Sequence, residues 1–325
     1  MQNRIPLEEK GFMVIRQLIP LALVETALVR IKHTLTELAQ ALSVPIADYM
    51  YCTGRWDTAS PVTTAAADCL HQPIVDYLSQ WTGRSMVAKK ANIICKTAVL
   101  VDPIPFHQDI AYSFQEPYHF SIWLSLNNVN EKAAALQVIP GSHCWPIAPL
   151  VDFWQPNYVD KYARWYRDQI QTITMEKGDA IVFDARLWHG SGRNEAATDR
   201  FSYVTRWVIQ QQDFPFIPHP ISVNFGMYNC GIVTETILSS YLLRACPNRS
   251  KLTRTALIQA WLERIDSIAI EAAVDRAQAK QALYHLLILN QATDLHGAGD
   301  IAGKVYKTLW FTLLQWLEKS NTTHA

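Results

Sequence analysis

The spacing of apolar positions along this chain changes twice. Gly11-Phe12-Met13-Val14-Ile15 is an apolar run of strand length. After Pro20 the residues Leu23, Ala27, Leu28, Ile31, Leu35 and Leu38 recur at three and four, which predicts a helix with one buried face. From about 84 to 210 the period shortens. Runs such as "NIICKTAVL", "HFSIWLSL", "AALQVI", "DAIVF" and "RFSYVTRWVI" alternate or stay apolar, with Pro, Gly and Asn between them. "QPNYVDKYARWYRD" (155–168) interrupts this pattern as an inserted loop or short helix, and "DFPFIPHPI", with Pro215, Pro218 and Pro220, closes it as an extended linker. Beyond about 234 the helical spacing returns: Leu257, Trp261, Ile265 and Ile268 share one face, as do Val305, Leu309, Leu313 and Trp316, and "HGAGDIAG" (296–303) separates the last two helices. The expected architecture is a mainly β core of roughly eight antiparallel strands with flanking helices. It divides into residues 1–228 and a helical C-terminal cap over 229–325 that packs on its own chain or serves as a homodimer face.

Composition narrows the function classes. The formal charge is zero and the pI about 7.1, so no basic footprint points to nucleic acid or an anionic membrane. The first twenty residues lack the pattern of a signal peptide, and no run of eighteen apolar residues exists. Six scattered cysteines (Cys52, Cys69, Cys95, Cys144, Cys230, Cys246) form no C-x-x-C pair, so reduced thiols and a cytoplasmic location are expected.

Candidate chemistry sits in the β region. His107-Gln108-Asp109 is a weak motif alone, because ten histidines and 29 acidic residues make such a triplet common. On a strand, residues two apart face the same way, so His107 and Asp109 are expected to project together. In "GDAIVFDARLWHGSGRN" a strand starting at Gly178-Asp179 would carry Ala185, Leu187 and His189 to one face. Two histidines and one carboxylate leave three adjacent positions open on Fe(II). Arg200 and Ser202 follow on one strand face; a buried guanidinium backed by a hydroxyl suits the distal carboxylate of 2-oxoglutarate.

With these residues assembled, the chain resembles the phytanoyl-CoA dioxygenase family of Fe(II)/2-oxoglutarate oxygenases. "HQD", "IWLSLNNVNEKAAALQVIPGSH" and "GDAIVFDARLWHGSGRN" followed by Arg200 carry the likeness, which runs from about 11 to 210 and is strongest over 104–206. The resemblance implies a double-stranded β-helix (jelly-roll, cupin-like). It implies iron at His107, Asp109 and His189, 2-oxoglutarate on Arg200, O2 as oxidant, and Ser202 and Lys96 as further co-substrate contacts. The activity implied is hydroxylation of a small metabolite with release of succinate and CO2. Desaturation, cyclisation or demethylation are the alternatives on the same cofactors, and a non-catalytic metal- or ligand-binding barrel is a third. Asp109 separates the chain from halogenases of this fold, which carry Ala or Gly there. "CKTAVL" and "EKAAAL" depart from the family pattern, and the helical C-terminus lies outside it.

Other residues have plainer expected roles. His143 belongs to a Pro-Gly-Ser-His turn, and His119 to a solvated or capping position. Trp123, Trp188 and Trp207 read as core, with Trp188 facing away from the metal. Tyr112 and Phe114 continue the His107 strand as candidates to line the substrate mouth. Arg206 shares the parity of Arg200 and competes with it, spacing from His189 favouring Arg200. Arg55-Trp56-Asp57 reads as a loop that is either surface or reaches over the pocket.

Overall fold

The computed structural model describes residues 5–98, 103–112, 119–145, 164–210, 254–267 and 273–296, with isolated positions between 309 and 319. Ten strands are present in it: β1 Phe12–Ile15, β2 Arg55–Trp56, β3 Met86–Lys96, β4 Ile104–His107, β5 Phe120–Ser125, β6 Leu136–Val138, β7 Gln171–Ile173, β8 Ala180–Asp184, β9 His189–Ser191 and β10 Arg200–Ile209. Eight of them fall in the span whose period is two. The helices are α1 Ile5–Lys10, α2 Leu21–Ala41, α3 Ile46–Thr53, α4 Pro61–Thr82, α5 Arg254–Arg264 and α6 Ala273–His296. Phe114, the 213–221 linker, Ile268, Val305 and the break after His296 lie outside the described residues.

The strands form two antiparallel sheets, one ordered β1-β8-β5-β10-β3-β2 and the other β4-β9-β6-β7. This is the double-layered β core expected. Apolar residues of alternate parity interlock between the sheets: Phe12, Trp123, Ile181, Phe183 and Val204 of the larger meet Leu136, Val138 and Ile173 of the smaller. Opposite residues in an antiparallel ladder face the same side. The register therefore sets Arg200, Ser202, Val204 and Arg206 of β10 beside Lys96, Ile94, Asn92 and Lys90 of β3, on the face towards the smaller sheet. The outer face packs on α4, where His71 stacks on Trp207 at 5.4 Å and Trp81 meets Phe120 edge-on at 6.2 Å. The Ser60 hydroxyl caps α4 by accepting from Val62 N–H, and Pro61 takes the first-turn position where no amide hydrogen is needed.

The chain divides into two compact units. Residues 1–35 and 55–223 make the first; residues 36–54 and 224–325 make the second. In the second unit, α3 buries Tyr49, Met50 and Cys52, while α6 buries Ala279, Leu283, Leu286 and Leu289. His285 of α6 reaches Asp48 of α3 at 3.3 Å, and the Cys52 thiol donates to the His285 carbonyl at 3.4 Å. Trp261 and Trp316 are buried and meet edge-on at 6.0 Å. Among the described residues no helix is long and apolar enough to cross a membrane.

Candidate metal centre

His107, Asp109 and His189 come together, all buried, with one ligand-type atom from each lying within 4.8 Å of the others. The route differs from strand alternation. β4 ends at His107, and Asp109 opens a 3-10 turn over Asp109–Tyr112, so the carboxylate is offered by the turn that leaves the strand. Two contacts pin that turn to the link between β8 and β9: Ile110 N–H donates to Ala185 O at 2.9 Å, and the Gln108 side chain donates to Arg186 O at 2.8 Å. The strand expected to run from Gly178 to His189 is likewise broken. β8 stops at Asp184 in the larger sheet, the chain turns, and His189 opens β9 in the smaller one. There His189 pairs directly with His107, their rings 4.3 Å apart. Gly190 makes this pairing possible, since a Cβ on it would stand 2.8 Å from Ile104 O. Tyr112 lies in the 3-10 turn, not on a continuation of β4.

The protonation states suit a cation. Nδ1 of His107 lies 2.9 Å from Pro105 O, and Nδ1 of His189 lies 2.9 Å from Leu187 O. A carbonyl can only accept, so each Nδ1 carries the hydrogen and each Nε2 keeps its lone pair. Those Nε2 atoms stand 3.6 Å and 3.7 Å from Asp109 Oδ1. Burial lowers the His189 pKa to about 4, aided by His107 and opposed by Asp109. Burial alone would raise Asp109; Arg206 and the two imidazoles reverse that and hold it well below the usual carboxylate range. Asp109 Oδ2 accepts from the Ser121 hydroxyl at 2.8 Å. Two imidazoles held by carbonyls at their Nδ1 atoms and an ionised carboxylate, oriented by groups behind them, are the donor set a divalent ion requires, so the residues present fit Fe(II).

Arg200 is 2% exposed. Its Nη1 donates to the Ser202 hydroxyl at 2.9 Å, its guanidinium lies 5.1 Å from the Trp123 ring centre, and its Nε has no hydrogen-bond partner. No acidic side chain pairs with it among the described residues, and burial lowers its pKa to about 10. Lys96, opposite Arg200 in the ladder and buried, donates to Gly192 O at 2.6 Å. Ser191 is a buried polar residue near His189 that motif reading misses. It shares the parity of His189, and its buried hydroxyl is without a hydrogen-bond partner; parity in "HGS" is the signal that points to it.

The remaining residues take other places. Trp188 packs with Phe106 and Ile139. His143 Nε2 lies 3.0 Å from Glu8 O, and His119 Nδ1 accepts from Ile209 N–H at the end of β10. Arg206 does not stand beside Arg200. Its Nη1 donates to Asn92 Oδ1 at 2.9 Å and its Nη2 lies 3.7 Å from Asp109 Oδ1. Arg55 belongs to the edge strand β2, and its Nη2 donates to the same Asn92 oxygen at 3.4 Å.

The family model for phytanoyl-CoA dioxygenase (PhyH) matches residues 7–202. Human peroxisomal phytanoyl-CoA dioxygenase is 24% identical over 215 residues, 58% of this chain and 62% of that protein. The rat enzyme of the same name is 29% identical over 138 residues, 39% of this chain and 40% of that one. The chain thus spans less than two thirds of the curated relatives it matches. Among solved structures, the apo form of the non-heme monooxygenase ThoJ is similar with a TM-score of 0.49 and 19% identity, covering 64% of this chain and 77% of that one.

Proposed function

The chain belongs to the phytanoyl-CoA dioxygenase family, and we propose that it is an Fe(II)/2-oxoglutarate-dependent oxygenase that hydroxylates a small-molecule metabolite, releasing succinate and CO2. The observation that carries the reading is Arg200. A guanidinium buried in the β core with no acidic partner among the described residues is costly unless an anion joins it, and it shares a unit with the buried His107, Asp109, His189 triad.

In this reading His107, Asp109 and His189 would hold the metal, and Ser121 and the carbonyls of Pro105 and Leu187 keep the three donors aimed. Arg200 would take the distal carboxylate of 2-oxoglutarate, with the Ser202 hydroxyl already on its Nη1. Lys96 and the unpartnered Ser191 hydroxyl are further donors on that side. Bound Fe(II), 2-oxoglutarate and O2 together supply an oxidant able to attack a C–H bond. The interleaved apolar side chains of the two sheets keep water from that region.

The cytoplasm is the proposed location, supported by the free thiols of Cys52, Cys69, Cys95 and Cys144. A homodimer through the C-terminal helices completes the proposal. The test is anaerobic titration. One Fe(II) per chain should bind, and adding 2-oxoglutarate should raise the weak visible charge-transfer band of the chelate. Iron binding with no such band would sink the co-substrate assignment.

A further inference from the structure

The three ligand-type side chains belong to the smaller sheet and the turn beside it: His107 ends β4, Asp109 opens the turn that leaves β4, and His189 opens β9. The larger sheet reaches the Asp109 carboxylate through two residues. Ser121 of β5 and Arg206 of β10 are direct partners in the antiparallel ladder, so both project to the same side. The Ser121 hydroxyl donates to Asp109 Oδ2 at 2.8 Å, and Arg206 Nη2 forms an ion pair with Oδ1 across 3.7 Å.

The two carboxylate oxygens therefore have different surroundings. Oδ1 faces the imidazoles, 3.6 Å from Nε2 of His107 and 3.7 Å from Nε2 of His189. Oδ2 is tied back to β5. Ser121 is fully buried, and a serine hydroxyl has one hydrogen to give. Swinging Oδ2 onto an ion as a second donor would strip that buried hydroxyl of its acceptor, where water cannot replace it. The number of oxygens Asp109 offers decides how much of the ion is left. Two imidazoles and one carboxylate oxygen leave three positions of an octahedral ion open, and a second oxygen would close one of them. Because 2-oxoglutarate takes two, a doubly bound Asp109 would leave no position for O2.

We infer that Ser121 is a positioning residue: by holding Oδ2 it confines Asp109 to the metal through one oxygen, and so preserves the position that O2 needs. This rests on the oxygenase reading above. Ser121 acts through Asp109, and the effect belongs to its hydroxyl, not to its volume.

The test counts water on the ion. Full-length protein is loaded with Mn(II), and the waters bound to the ion are counted from the broadening of its electron paramagnetic resonance lines in water enriched in the magnetic oxygen isotope. The parent should hold three waters, and one once 2-oxoglutarate is bound. Ser121→Ala should hold two, and none with 2-oxoglutarate. Its affinity for 2-oxoglutarate should stay within about threefold of the parent, while succinate release from the iron-loaded protein falls about tenfold or more. Ser121→Thr keeps the hydroxyl and should keep all three waters, which separates the hydrogen bond from packing. Two waters on the parent would mean that both oxygens bind despite Ser121, and this result needs no variant. That count, three waters on Ser121→Ala, or two on Ser121→Thr would each overturn the inference. A parent from which 2-oxoglutarate displaces no water is a separate result: it would overturn the oxygenase reading and leave the comparison of counts without co-substrate standing.

Discussion

Replacing Arg200 with Met should leave the ligand-free protein at least as stable as the parent while removing most of its affinity for 2-oxoglutarate. Burial takes the Arg200 pKa from 12.5 to about 10. A tenfold loss of proton affinity is worth about 1.4 kcal/mol, so keeping this cation folded costs about 3 kcal/mol at neutral pH. The stack on Trp123 returns about 1 kcal/mol and the bond to Ser202 about 1 kcal/mol more. A net cost of order 1 kcal/mol remains. Met keeps much of the stem volume, and relief of the charge should raise the melting temperature by roughly 2–4 °C. The sign can be checked by pH. Between about pH 10 and 12.5 the unfolded chain holds this proton and the folded chain does not, so parental stability gains with rising pH there and the variant lacks that gain. With 2-oxoglutarate the order inverts: loss of a bidentate partner for its carboxylate costs about 2–4 kcal/mol, a rise of roughly 30-fold to 1000-fold in Kd. Calorimetry and thermal unfolding of both proteins, with and without ligand, make the comparison. A variant destabilised by more than about 1 kcal/mol that still binds 2-oxoglutarate normally would show the guanidinium to be structural, and the reasoning would fail.

His107→Ala or His189→Ala should abolish stoichiometric Fe(II) binding by atomic absorption after dialysis, whereas Asp109→Ala should retain weak binding through two imidazoles and lose most turnover, read as succinate release. Gly190→Ala, whose Cβ would meet Ile104 O at 2.8 Å, should spread β4 from β9 and weaken the metal site about tenfold or more with the far-ultraviolet circular dichroism little changed. Burial lowers the His285 pKa against the opposing pull of Asp48, so the unfolded chain takes up this proton first as pH falls below about 6.5. Unfolding of the helical unit should therefore be easier at pH 5 than at pH 7.5, with a shallower slope in His285→Gln. A chain ending at residue 232 should aggregate on expression, since α3 loses α6 and its buried Tyr49, Met50 and Cys52 lose the helix packed against them. A soluble, active product would show the helices to be dispensable.

Much of this architecture is legible in the pattern of residues, because alternation and helical spacing are imposed by which face is buried. β3 to β10 fall where the period is two, and α2 where apolar residues recur at three and four. The three ligand-type side chains are legible as well, since H-x-D followed by a later histidine is a compact signal. How they meet is not. A spacing of two fits a strand and equally fits a strand running into a tight turn, and the tertiary contacts at Ala185 and Arg186 select the turn. The break between β8 and β9 is hidden for a similar reason: "DARLWH" is apolar enough to continue a strand, yet the two ends belong to different sheets. Asn92 linking Arg55 to Arg206 depends on pairing between β2, β3 and β10, positions far apart in the chain that no local period reports. The exchange of residues 36–54 into the second unit is equally invisible, because α2 keeps one helical pattern through the boundary.

That exchange sets an order on synthesis. α3 leaves the ribosome about 220 residues before α6, roughly 10–45 s at ordinary translation rates. β1 is made before α3 and the other nine described strands in that interval, so the β unit can close while Tyr49, Met50 and Cys52 still await the helix that buries them. A chain stalled between residues 223 and 273 would therefore present a finished sandwich with an orphaned apolar helix, a target for chaperones during synthesis and for proteases if the stall persists.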